Sequence, residues 1–122
     1  MFDHRGFAVA DYTASKPFFL KALEPLGVGM VMEGEHGLGS GSKGKPSLWL
    51  FQTAEKPLPM HIAFAAETCQ QVDDFHRDAL SAGGRDNGAP GIRAHYHPNY
   101  YGAFMIAPDG HNVEAVCHRP EA

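Results

Sequence analysis

Two histidines and one glutamate of this sequence could together bind a metal ion. His4 and His61 are 57 positions apart, and Glu114 lies inside an otherwise apolar run near the end of the chain. Two imidazoles and a carboxylate suit a divalent transition metal that keeps open positions for water or a substrate. Such an ion could act as a Lewis acid on a substrate oxygen or lower the pKa of a bound water.

The two histidines belong to an internal repeat. When the sequence is shifted by 57 residues, identical residues coincide in a single register, which is typical of a duplicated structural unit. Each half also shows the same order of elements, one strand followed by a helix and three more strands. The coinciding pairs are His4 with His61, Phe7 with Phe64, Ala8 with Ala65, Phe18 with Phe75, Ala22 with Ala79, Leu23 with Leu80, and Gly27 with Gly84.

The first strand of each half is predicted to carry its histidine on a face of small residues. Side chains alternate along a strand, so the bulky face with Phe7 or Phe64 should pack against the helix that follows. A face lined by Gly and Ala leaves space rather than filling a core, which favours a cavity with a polar group at its rim. The small residues that share these faces are Gly6, Ala8 and Ala10 with His4, and Ala63 and Ala65 with His61.

The chain is predicted to be a single α+β domain of two βαβββ modules. The first module spans 1–53 and the second 60–118, with a proline-containing linker over 54–59. The first strands are expected over 2–10 and 60–66.

Helices are predicted over 14–26 and 69–82. Asp11 or Thr13 can cap the first helix, and Thr68 with Gln71 forms a capping box at the second. The remaining expected elements are strands over 28–32, 47–52, 100–106 and 112–117, a loop or loose hairpin over 34–44, and a loop-rich segment over 85–98.

Composition excludes several classes of partner and compartment. The 122 residues carry a net charge of −4, which argues against binding to nucleic acid or to an anionic membrane. No apolar run reaches the roughly 18 residues that cross a bilayer. The two cysteines lack the density of a disulfide framework, and the first residues do not read as a signal peptide, so we expect a cytoplasmic protein with a small-molecule substrate.

The segment 93–104 crowds histidines and tyrosines beside the last two strands. Histidine can move protons near neutral pH, and a tyrosine hydroxyl can donate to a developing oxyanion. We therefore expect His97 and Tyr101 to take part in catalysis together with Glu114, and His95, Tyr100 and Tyr101 to contact the substrate. Tyr100 and Tyr101 face opposite sides if both are in a strand. The alternative is a turn with structural tyrosines and surface histidines.

The sequence resembles the vicinal oxygen chelate superfamily, which includes glyoxalase I, bleomycin-resistance proteins, extradiol dioxygenases and fosfomycin-resistance enzymes. The segments 3–11 and 60–66 resemble the starts of its two repeats, and 108–114 resembles its DPDG-N-x-E signature. The resemblance covers essentially the whole chain. It implies that the two modules form a cup-shaped mixed sheet around a metal, in a homodimer whose sites are built across subunits in many members.

Residue by residue, the resemblance places His4, His61 and Glu114 at metal-ligand positions. It implies a divalent Zn, Ni, Mn or Fe ion. Trp49 stands where glyoxalase I has a fourth ligand, a glutamate, and tryptophan cannot ligate a metal. This difference argues against lactoylglutathione lyase activity and leaves Trp49 as core or as a wall of the substrate site.

The function that the resemblance implies is that of a metal-dependent, glyoxalase-like lyase or isomerase. Its substrate would be small and rich in oxygen, and would bind the ion through two neighbouring oxygens. The alternatives are a metal-free ligand-binding protein of the bleomycin-resistance type and a small dioxygenase.

Overall fold

A computed structural model describes residues 1–119 and has two βαβββ modules in an α+β fold. None of the helices in this part of the chain has both the length and the apolar character that crossing a bilayer requires. The first module comprises β1 (Arg5–Val9), α1 (Tyr12–Leu23), a 3-10 turn (Glu24–Leu26), β2 (Gly29–Gly34), β3 (Gly37–Gly41) and β4 (Leu48–Gln52). The second comprises β5 (His61–Ala65), α2 (Cys69–Ser81), β6 (Arg85–Ile92), β7 (Tyr101–Ile106) and β8 (Asn112–Cys117).

Each module forms its own four-stranded mixed sheet. The strand order is β1-β4-β3-β2 in the first sheet and β5-β8-β7-β6 in the second. The first strand of each module pairs in parallel with the last, and all other pairs are antiparallel. The α+β prediction with its duplicated topology is confirmed, and the eight strands of one chain form two four-stranded mixed sheets.

Both sheets turn one face into a shared core. Phe7 of β1 and Val113 of β8 are fully buried there, together with Phe18 of α1 and Phe75 of α2. Each sheet therefore has a second face directed away from the core, which we call its open face. The predicted alternation holds, because His61 and Ala63 are exposed on the open face of the second sheet.

The turn between β7 and β8 fastens the second module to the first. Asp109 is buried and its carboxylate accepts a hydrogen bond from the Asp11 backbone N–H (3.2 Å) and another from the Ser15 hydroxyl (3.2 Å). His111 is fully buried and links β1 of the first module to Met60, the residue before β5. Its Nδ1 accepts the Met60 N–H (3.0 Å) and its Nε2 donates to the Ala8 carbonyl (2.9 Å).

Several predicted boundaries are corrected. Of the two alternatives for the glycine-rich segment 34–44, the structure has the hairpin, since the segment includes β3, which pairs with β2. The predicted loop-rich segment 85–98 contains β6, an eight-residue strand whose glycines and proline hid it, and its register shifts twice against β7. The first strand begins at Arg5 rather than Phe2, so His4 precedes it. Helix α1 starts at Tyr12 and ends at Leu23, with Asp11 as its cap.

Candidate metal centre

His61 and Glu114 form the centre of the open face of the second sheet. His61 begins β5 and lies beside Asn112 in the parallel pairing with β8, so Glu114 lies beside Ala63 on the same face. The small Ala63 side chain leaves room for the two functional side chains to meet. His61 Nε2 lies 3.1 Å from Glu114 Oε1.

Burial differs sharply between the two partners. The Glu114 side chain is 1% exposed, whereas the His61 side chain is 51% exposed. A buried carboxylate needs a charge, hydrogen bonds or a metal ion to offset its lost hydration. The exposed imidazole leaves an approach from solvent to the pair.

The orientation of His61 suits a metal ligand. Its Nδ1 lies 3.2 Å from the Asn112 carbonyl oxygen, which can only accept, so Nδ1 carries the proton. In a neutral imidazole this leaves the Nε2 lone pair directed toward Glu114. Protein metal sites orient ligating histidines in this way, through a hydrogen bond from the other ring nitrogen.

The spacing of the two donor atoms also fits an ion between them. Donors that each bind a metal at about 2.1 Å lie about 3.0–3.4 Å apart when the angle at the ion is between right and tetrahedral. The 3.1 Å separation of His61 Nε2 and Glu114 Oε1 falls in that range. These two residues can therefore supply two of the ligands.

A tyrosine completes the group around Glu114. The Tyr100 hydroxyl donates a hydrogen bond to Glu114 Oε2, the oxygen that does not face His61. Burial and then the neighbouring Glu114 carboxylate raise the pKa of Tyr100 above its ordinary value. The hydroxyl therefore keeps its proton throughout the physiological pH range.

His4 lies apart from this pair in a single chain. Its Nδ1 is 2.7 Å from Asp3 Oδ2, and its side chain is 58% exposed. It shares with His61 a cleft of about 360 Å³ that also includes Arg5 and Ser47. Within residues 1–119, no three His, Cys, Asp or Glu side chains are grouped closely enough to hold a metal.

The small residues of β1 predict a hollow on the open face of the first sheet, but aromatic side chains occupy part of that face. The Trp49 ring lies against Gly39, where an added Cβ would be 2.9 Å from it, and Phe51 lies over Gly6. Trp49 also lines a second cleft of about 590 Å³ with His4 and Pro46. Aromatic side chains from β4 therefore cover part of the expected hollow.

The structure separates the two neighbouring tyrosines. Tyr101 points toward α2, where its hydroxyl donates to Asp73 Oδ1 (2.6 Å). This hydrogen bond, with burial, raises the pKa of Tyr101 to about 12. The structure thus brings Tyr100 to Glu114 and does not bring Tyr101 there.

His95 and His97, from the segment 93–104, are exposed beside Tyr100. The His95 ring packs on Tyr96, with centroids 4.1 Å apart, and Tyr96 packs on Tyr100 at 5.0 Å. His97 Nδ1 accepts the Asn99 N–H (3.0 Å), so its Nε2 holds the proton when the ring is neutral. His97 can therefore donate a hydrogen bond through Nε2.

Two neighbours of the site were not found from the sequence. Phe104 stacks on His61 with centroids 6.3 Å apart, and the two rings are inclined by 21°. The Asn112 carbonyl holds His61 Nδ1. A contact through a backbone carbonyl leaves no signal in side-chain type.

Several solved structures with the same fold carry glyoxalase-related names. No protein-family model and no curated protein sequence matches this chain. A glyoxalase/bleomycin resistance protein from Albidiferax ferrireducens is similar, with 28% identity, a TM-score of 0.77, and coverage of 98% of this chain and 99% of that one.

More distant structures share the fold. Lactoylglutathione lyase from Agrobacterium tumefaciens is 16% identical, with a TM-score of 0.70 and coverage of 96% and 92% of the two chains. Oxidase ChaP-H2 is 20% identical, with a TM-score of 0.68 and coverage of 98% and 94%.

Proposed function

We propose that this chain, which by its fold is a vicinal oxygen chelate protein, is a metal-dependent, glyoxalase-like enzyme. Its substrate is a small, oxygen-rich molecule that presents two neighbouring oxygens to a divalent metal. The observation that carries the proposal is the His61–Glu114 pair, a buried carboxylate 3.1 Å from an imidazole whose other nitrogen is held by a backbone carbonyl. We also assign the protein to the cytoplasm, on its low cysteine content.

The third ligand in this proposal is His4 from a second copy of the chain. Each open face is directed away from the shared core, so a second copy can lie against it. The first sheet exposes large apolar side chains. Exposed apolar surface of this kind is typical of a region that a partner covers. These side chains include Met30, Met32 and Phe51, each more than two-fifths exposed. In such a homodimer, His4 of one subunit would meet His61 and Glu114 of the other.

The roles of the protein's own groups follow from their contacts. When bound, a divalent metal would supply Lewis-acid stabilisation of negative charge on substrate oxygens. Glu114 and His61 would hold that ion, and the protonated Tyr100 hydroxyl lies beside them. His97 can donate a hydrogen bond through Nε2. His95 and Tyr96 form an aromatic wall next to Tyr100, and Trp49 can stack on a planar part of the substrate.

Metal titration tests the proposal. Purified protein should bind about one Co²⁺, Ni²⁺, Zn²⁺, Mn²⁺ or Fe²⁺ ion per chain and unfold at a higher temperature when the ion is present. His61→Ala should bind the same ion at least about tenfold more weakly, since removing even an outer partner of a ligand costs 10–100-fold. Isothermal titration calorimetry measures both proteins.

A matched histidine variant controls for lost surface imidazoles. His36 lies in the turn between β2 and β3 with its side chain 88% exposed, so His36→Ala should bind the metal like the native protein. Equal affinity of the native and His61→Ala proteins, or no binding of any of the five ions by the native protein, would refute the proposal.

A metal-free ligand-binding protein is the second candidate. The observation that favours it is the cleft of about 590 Å³ beside Trp49, which includes His4 but neither His61 nor Glu114. Trp49 is the only tryptophan of the sequence, so its fluorescence reports on this cleft directly. Quenching by planar aromatic compounds in a protein that binds no metal would favour this candidate.

A further inference from the structure

We propose that Tyr100 is a positioning residue, which holds one oxygen of Glu114 so that the other is presented alone beside His61. The inference rests on the proposed function, because it concerns how Glu114 meets a metal ion. In this proposal the segment 93–100 orients the Glu114 carboxylate in addition to contacting the substrate.

The two oxygens of Glu114 have separate partners. Oε2 accepts the hydrogen bond of the Tyr100 hydroxyl, while Oε1 lies 3.1 Å from His61 Nε2. A carboxylate with both oxygens unconstrained can rotate and can bind a metal through one oxygen or through both. With Oε2 occupied by Tyr100, Glu114 offers a single oxygen in a fixed direction.

The contact between Tyr100 and Glu114 has room because residue 102 is a glycine. A Cβ placed on Gly102 would lie 3.1 Å from Tyr100 Cε1 and 3.3 Å from Glu114 Oε2. Both distances are tighter than ordinary packing, so a side chain at position 102 would push the two groups apart. The absence of a side chain there opens the space in which the hydroxyl and the carboxylate meet.

The Tyr100 ring is held from two sides. The Tyr96 ring lies 5.0 Å from it, and the His118 ring meets it edge-on at 5.5 Å. Aromatic pairs at such distances favour a defined mutual orientation. The ring thus has little freedom to move its hydroxyl away from Glu114.

The loop that carries Tyr100 is closed by Arg93. The Arg93 N–H donates to the Tyr100 carbonyl (2.7 Å), and the Tyr100 N–H donates to the His97 carbonyl (3.0 Å). The Arg93 guanidinium donates to the carbonyls of Ala89, Gly91 and Gly102, at 2.8, 2.8 and 2.9 Å. Arg93 therefore fixes the loop to both strands of the β6–β7 pair.

Cobalt binding to Tyr100→Phe tests the inference. The variant keeps the ring and its packing but removes the hydroxyl, so Glu114 can turn. We expect Co²⁺ affinity to fall about tenfold, in the range found when a hydrogen-bond partner of a metal ligand is removed. We also expect the visible absorption spectrum of bound Co²⁺ to change, because it reports the number and geometry of ligands.

Tyr101→Phe is the matched control. It removes a hydroxyl from the adjacent residue, whose partner is Asp73 on the other side of the sheet. We expect this variant to bind Co²⁺ with native affinity and a native spectrum. Thermal unfolding of the three metal-free proteins shows whether either substitution disturbs the fold, and Gly102→Ala, which crowds the same contact, should reproduce the spectral change.

The outcomes separate the two proposals. If the native protein binds Co²⁺ and Tyr100→Phe gives the native spectrum, the positioning role is wrong and the metal site stands. The same holds if the affinity falls but the spectrum does not change, since that result indicates a merely structural role. If the native protein binds no Co²⁺, the proposed function is wrong, and the inference that rests on it is wrong as well.

Discussion

Glu114→Gln is expected to bind divalent metals about a thousandfold more weakly than the native protein. Glutamine keeps the size of the side chain and removes its negative charge. At an effective dielectric constant of about 20, two unit charges about 4 Å apart attract by about 4 kcal/mol, and a divalent ion at ligand distance gains more. A loss of about 4 kcal/mol corresponds to about a thousandfold in affinity.

Calorimetric titration with Co²⁺ or Zn²⁺ measures this loss. Glu35→Gln is the control, because it makes the same chemical change at a side chain that is 88% exposed in the β2–β3 turn. We expect the control to match the native protein. A Glu114→Gln protein with affinity within tenfold of native would show that this carboxylate does not ligate the ion.

His111→Ala is expected to lower the free energy of unfolding by about 3–5 kcal/mol. The substitution leaves the Met60 N–H and the Ala8 carbonyl without partners, and each unsatisfied buried group costs about 1–3 kcal/mol. It also removes the tilted packing of His111 on Phe7, whose centroids are 4.7 Å apart, and leaves a cavity.

Urea denaturation followed by circular dichroism measures the change. His36→Ala removes an exposed imidazole and should stay within about 0.5 kcal/mol of the native protein. A loss below about 1 kcal/mol for His111→Ala would mean that this residue does not hold the two modules together.

The sequence period located the residues of one open face correctly. Alternation from His61 placed Ala63 on the same face, and Glu114 stood out as the one charged residue of an otherwise apolar run. Parallel pairing of the first and last strands of the module then brings these side chains together. This part could be predicted because it depends only on strand period and on the repeat.

Other features depend on packing that the sequence does not encode locally. Gly88, Pro90 and Gly91 ordinarily mark turns, so the sequence did not predict strand β6. Pairing with β7 overrides that local preference. His111 lies in the segment 108–114 that resembles the family signature, and nothing in that resemblance shows that its side chain is fully buried.

The opposite directions of Tyr100 and Tyr101 illustrate a further limit. Alternation predicts that they diverge, but only the structure shows which one turns toward Glu114. Tyr101 opens β7 and packs toward α2, whereas Tyr100 ends the preceding loop. From the sequence, we expect Tyr101 to act in catalysis. In the structure its hydroxyl donates to Asp73 and does not contact the His61–Glu114 pair.

The central proposal is that one subunit's His4 joins the other's His61 and Glu114 around a metal ion, and subunit mixing tests it most directly. His4→Ala and Glu114→Gln chains, each with a different tag, are combined and the mixed dimer is isolated. A shared site predicts that neither parent dimer binds Co²⁺ at native affinity. It also predicts that the mixed dimer binds about one ion per dimer, because one of the two sites at its interface regains all three ligands. A mixed dimer that binds no more Co²⁺ than its parents would contradict the proposal.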